Sequence, residues 1–337
     1  MHKKEGFTFD FTHINIIVKY WSIPKNYEKH NKEETMNTCK VGTYDNCVEL
    51  VSGRFRIAVT QDFGPRVIGG FIDGSDNIFA VLPDKAMTKI GTGFKLRGGH
   101  RLWHSPEAAP RSYVADNAKV KVTKTKEGLE FDCEPEALTG IKKTITISKI
   151  KWNCFMLTHK LTNCGQWDVV LAAWGLSMMA PGGFAVIPQG RNPSRNPYAM
   201  DRSLNLWPYS NFNDYRLKFE DDYIFLRQDP KAKDPIKIGY YASDGWIAYV
   251  NKGVALVKIL DMFDKDDVSY PDNECNVESY SCDKFCEIES LSPLYKLPPN
   301  QSCEHNEIWQ AVAGLPEIKD GKDFDKYVLP KIELWLH

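Results

Sequence analysis

The 337 residues include 43 lysines and arginines against 44 aspartates and glutamates, a formal net charge of −1. Such a balance gives no field to collect phosphate backbones or anionic lipid, so neither nucleic acid nor a membrane is expected as a partner. The length allows two average domains or one large β-sandwich, and one domain is the expectation.

Residues 1–36 read as an appendage to a single domain over 37–337. They combine an aromatic start with the polar run Lys25 to Glu34, which has no apolar periodicity, and Met36 is a candidate natural start. The most apolar stretch, Ile14 to Trp21, is short and broken by Lys19. Asp10 and His13 fall where a signal peptide needs an apolar run, so a cytoplasmic location is expected.

From Val48 the texture is short β-type runs broken by turn residues. Val48 to Val51, Ser52-Gly53 and the alternating Phe55 to Thr60 form a hairpin signature. Asp62-Phe63-Gly64-Pro65-Arg66 sets a turn before Val67 to Ile72. There Arg66 can point a planar fork at hydroxyls or a carboxylate, or pair with Glu287 or Glu289. Residues 91–116 hold Gly98-Gly99-His100-Arg101-Leu102-Trp103-His104-Ser105-Pro106-Glu107, read as a long loop too rich in glycine and charge for a core strand. Paired glycines let backbone approach a ligand, while the histidines either act on it or cap neighbouring carbonyls.

Strands are predicted over Ala118 to Thr125, Leu129 to Cys133, Ile141 to Ile150, Cys154 to Leu161 and Trp167 to Ser177. Residues 181–216 form a second long loop. Strand patterns then resume at Tyr223 to Leu226, Gly245 to Val250, Val254 to Leu260, Phe285 to Leu291 and Ser302 to Val312. This is the grammar of an all-β antiparallel sandwich. In the penultimate run, alternation puts Glu287 and Glu289 on one face, either as a repelling carboxylate pair with one candidate base or as a solvated strand face. The nine cysteines are odd in number and scattered, which is not a disulfide framework. Cys282, Cys286, Cys303 and His305 lack a second tight pair, so buried thiols are expected and no metal.

The order of these motifs resembles the galactose mutarotase-like superfamily over about residues 44–315. The carriers are Gly64-Pro65-Arg66-Val67-Ile68, the Gly98-Gly99-His100 segment with Arg101 and Trp103, the paired runs Phe155 to Asn163 and Asp168 to Met178, and Glu289 followed by Leu297-Pro298 and Trp309. Asn300 stands in a slot where glycine is commoner. Similarity is greatest to a branch without settled activity, in which Ala173-Trp174-Gly175-Leu176 runs into Pro181-Gly182-Gly183.

The resemblance implies a large β-supersandwich and a sugar mutarotase or epimerase that needs no cofactor. In it Glu289 would take the anomeric proton and His100 or His104 would protonate the ring oxygen. Arg66, Arg101, Glu107 and Glu287 would hold hydroxyls, with Trp103 or Trp174 stacked on a small sugar or oligosaccharide. Trp174 falls where the family has its second histidine. The alternatives are a noncatalytic carbohydrate-binding protein on the same cleft and a relative of polysaccharide lyases or hydrolases.

Overall fold

A computed structural model describes residues 36–85, 91–191, 196, 198, 200–263 and 267–332. The appendage expected over residues 1–36 lies, apart from Met36, outside the described residues.

Two antiparallel sheets of eleven and ten strands carry the chain. The first runs Asn37–Val41, Tyr44–Ser52, Phe55–Thr60, Arg66–Ile72, Gly99–Ser105, Val169–Met179, Cys286–Leu291, Val277–Ser281, Ile236–Tyr240, Leu204–Leu206, with Tyr295–Leu297 also paired to Val169–Met179. The second runs Leu217–Phe219, Tyr223–Arg227, Phe184–Pro188, Trp246–Asn251, Val254–Leu260, Ser302–Val312, Cys154–Asn163, Ile141–Lys151, Leu129–Asp132, Lys121–Lys124. The expected all-β sandwich is what the chain forms.

Alternation supplies the core. Ile57, Val59, Leu102 and Ile288 from the first sheet meet Ile145, Leu157, Leu256 and Trp309 from the second, all buried. The outer face of the second sheet is closed by the C-terminal helices Gly321–Tyr327 and Leu329–Ile332. Asp320 caps the first of these by accepting from the Asp323 N–H, and Phe324 stacks on Trp246 with ring centroids 5.4 Å apart. The outer face of the first sheet is left to loops. None of the described helices is long and apolar enough to cross a membrane.

Two expected loops contain strands. Gly99–Ser105 is a fully buried inner strand of the first sheet, because each of its charged groups finds a partner on one face or the other. Phe184–Pro188, inside the second expected loop, is equally buried between two neighbours. Burial on both faces removes the alternation that marks a strand in sequence. Asn300 adopts a φ of 64°, the left-handed region that explains glycine in that slot and that asparagine also tolerates.

Candidate functional site

The register of the first sheet sorts its polar residues. Arg101 lies opposite Arg66 and Leu176, Leu176 opposite Glu289, and Glu289 opposite Glu278. Trp103 lies opposite Trp174, while Lys237 pairs with Tyr280 and Tyr280 with Glu287. Side chains directly across a ladder share a face, so these residues all point to the outer side of the sheet. His100, His104, Ser177 and Ser290 are offset by one and point to the inner side.

On the outer face, Lys237 Nζ lies 2.7 Å from Glu278 Oε2 and 3.0 Å from Glu289 Oε2, and Trp174 Nε1 donates to that same Glu289 oxygen at 2.9 Å. Trp174 and Trp207 flank the ammonium, with ring centroids 4.6 and 4.7 Å from Nζ. Gly239 makes room for this arrangement, since a Cβ there would sit 2.6 Å from Cys275 Sγ and 3.2 Å from the Trp207 ring. Glu278 and Glu289 are both fully buried, and Oε1 of each accepts no hydrogen bond. Burial pushes Lys237 down, but the two carboxylates outweigh it and hold the ammonium well above the usual lysine range. Burial and the Glu289 charge hold Glu278 well above the usual carboxyl range, against the pull of Lys237.

Above this buried triad opens a cleft of about 380 Å³ lined by Glu107, Tyr113, Trp174, Trp207, Lys237, Asp272 and Glu278, with Ala108 and Ala109. Glu107 is exposed and accepts from the Tyr113 hydroxyl. Asp272 lies beside Ser105, whose Oγ donates to Oδ2 at 3.3 Å.

Beside the cleft, Arg101 pairs with Glu287 at 3.1 Å and lies 4.4 Å over the Trp103 ring. Burial first, then the neighbouring Glu289 charge, lift Glu287 to about 7 against the attraction of Arg101. Trp103 packs edge-on against Trp174, Tyr113 and Phe94 and is 4% exposed, so it buttresses Trp174 and does not line the cleft. Arg66 departs from its expected substrate-binding role. It is wholly buried, spans Asp116 with Nε and Nη2 at 3.2 and 2.7 Å, and donates to the Leu96 and Gly98 carbonyls. Its salt bridge is thus with Asp116, not with Glu287 or Glu289.

The histidines require a correction. His100 and His104 were expected to face Glu289, but both are on the opposite face of the sheet. His100 Nε2 meets His159 Nε2 at 2.7 Å, His100 Nδ1 meets Ser177 Oγ at 2.9 Å, and His159 Nδ1 meets the His305 carbonyl at 3.0 Å. A carbonyl only accepts, so His159 Nδ1 carries the proton. In the neutral forms His100 Nε2 then donates to His159, and Ser177 donates to His100. Burial holds His100 well below the usual imidazole range and lowers His159 too.

The same inner cluster contains Glu307, bound by Lys258 at 2.8 Å and Trp309 Nε1 at 2.5 Å, and Ser290, which accepts from His305 Nε2 at 2.8 Å and donates to Glu307. Gly175 allows this close approach, since a Cβ there would lie 2.4 Å from Glu307 Oε1. His100, His159 and Glu307 place ligand-type atoms within 4.8 Å of one another. Their hydrogen bonds already satisfy them without an ion. His104, at the strand's far end, binds Arg111 through Nδ1 at 2.7 Å and lies 3.5 Å from Glu136.

No protein-family model and no curated protein sequence matches the chain. Among solved structures it is similar to the "putative mutarotase (YeaD)" of Salmonella typhimurium, at 11% identity and a TM-score of 0.52, covering 80% of this chain and 90% of that one. The fold is galactose mutarotase-like. The Slr1438 protein of Synechocystis sp. PCC 6803 aligns over 79% of this chain and 96% of its own at 9% identity and a TM-score of 0.51. A TPR-domain containing protein of Parabacteroides distasonis aligns over 81% of this chain and 48% of its own at 13% identity and 0.53. At these identities the likeness is one of fold.

The sequence does not mark Lys237 as a partner of Glu289 or single out Glu278 and Asp272, and it places Trp207 in the second expected loop without a role of its own. The alternation Val277-Glu278-Ser279-Tyr280-Ser281, just before the Glu287 strand, was the available signal for Glu278.

Proposed function

We propose that this protein binds a sugar in the outer-face cleft without interconverting its anomers. The cleft supplies what sugar recognition needs: indole surface from the half-buried Trp207, with the nearly buried Trp174 behind it, and convergent polar groups from Glu107, Lys237, Asp272 and Glu278. Its volume of about 380 Å³ lies within the usual range for small-ligand sites.

One observation carries the noncatalytic part. Glu289, the expected base, is fully buried and, unlike Glu278, does not border the cleft, and its Oε2 already accepts from Lys237 and Trp174. A base must reach the proton it removes. The expected imidazole acid is also missing from that face, since among the described residues His100, His104, His159 and His305 all take part in the contacts beneath the sheet or at its far strand end.

A second reading keeps catalysis. Burial and the Glu289 charge hold Glu278 well above the usual carboxyl range, and it shares Lys237 with Glu289, so this carboxyl pair would stand in for the histidine and glutamate pair. Exchange NMR of anomer interconversion, run over free and phosphorylated sugars, separates the two. The binding reading predicts rates equal to buffer with every sugar bound; an accelerated rate that Glu289→Gln abolishes establishes the catalytic one.

A further inference from the structure

We propose that the cleft selects a sugar bearing a protonated amine over the corresponding neutral or anionic sugar, an inference that rests on the carbohydrate reading above. The charges that line it are unequal. Glu107, Asp272 and Glu278 are acidic residues, and Lys237 is the single cation among the described lining residues. That ammonium is already committed, between Glu278 and Glu289 and between two indoles. Arg101, a guanidinium on the same face, is paired with Glu287.

An anionic sugar would therefore meet three acidic side chains and, among the described residues, no uncommitted cation, whereas an ammonium would meet acceptors still open to it. Glu278 is one of these: it is fully buried, it borders the cleft, and its Oε1 accepts no hydrogen bond. An unpartnered buried carboxylate oxygen costs free energy that a ligand donor recovers. Trp174 and Trp207 already hold one ammonium against their rings, so the walls of the cleft are chemically suited to a second. Burial and the Glu289 charge weigh against ionising Glu278, and a ligand cation beside it would ease that burden.

Calorimetric titration at mildly acidic pH, where aliphatic amines are protonated, compares glucosamine and galactosamine with their parent hexoses, their N-acetyl forms and their 6-phosphates. The amines are expected to bind about tenfold more tightly than the parents, with the phosphates weakest. The double variant Glu107→Gln, Asp272→Asn alters rim positions, and asparagine tolerates the φ of 52° at Asp272. In it the advantage of the amine is expected to fall to about threefold or less. Saturable binding of hexoses with no preference for the amine, or a preference unchanged in the double variant, overturns the inference and leaves the carbohydrate reading standing. Binding of none of these sugars overturns both.

Discussion

Trp174 Nε1 and Lys237 Nζ converge on one oxygen of Glu289, at 2.9 and 3.0 Å. The indole therefore supplies that carboxyl with a fixed hydrogen-bond donor. Trp174→Phe deletes the donor and shrinks the bicyclic indole to one phenyl ring. It is expected to cost at least the roughly 1.5–3 kcal/mol of a hydrogen bond to a charged group in urea denaturation.

Lys237 is the ammonium shared by two fully buried acidic side chains. Removing one partner of a buried ion pair typically costs about 3–5 kcal/mol, because the remaining charge stays desolvated. Lys237→Met is expected to fall in that range at neutral pH. Adding Glu278→Gln and Glu289→Gln to it should recover more than half of the loss, which denaturation of the triple variant measures.

Arg66 holds the loop carrying Leu96, Gly98 and Asp116 and does not border the cleft. Arg66→Met is expected to lower stability by about 3–5 kcal/mol. Sugar affinity per folded molecule should change by less than about twofold. A large loss of affinity with stability intact would return Arg66 to the binding site.

Glu287 has a folded-state pKa raised from 4.5 to about 7. The folded state therefore holds this proton more tightly than the unfolded chain, so its contribution is present in full below about pH 4.5 and is lost as pH rises through about 7. The stability difference between wild type and Glu287→Gln should accordingly move against the wild type by about 1–3 kcal/mol over that interval. The inner histidines have the opposite sign. Burial lowers His305 to about 3, so its contribution is present above the unfolded value of 6.5 and is lost as pH falls toward 3.

Alternation made the sandwich legible, because a run such as Cys154 to Asn163 buries nearly every second residue. It also set Glu287 and Glu289 on one face. The same alternation separates His100 and His104 from Arg101 and Trp103, but a glycine-rich, charged segment does not look like a strand until its partners Glu287, Ser177, His159 and Glu136 are known. Those partners lie 59 and 77 residues from His100 in the cases of His159 and Ser177. Which face a histidine takes is thus fixed by pairing at long range. Lys237 and Glu278 were obscure for the same reason, since only the sheet register brings them to Glu289.

Sugar binding in the outer-face cleft is read directly by fluorescence and calorimetric titration of neutral and amino sugars into wild type and Trp207→Ala. Trp207 is half-buried, borders the cleft and carries no backbone role in the sheet. Saturable binding by the wild type, weakened about tenfold or more by loss of the indole, is the predicted result. Wild-type protein that saturates with no sugar, or a variant that binds as tightly as the wild type, would contradict it.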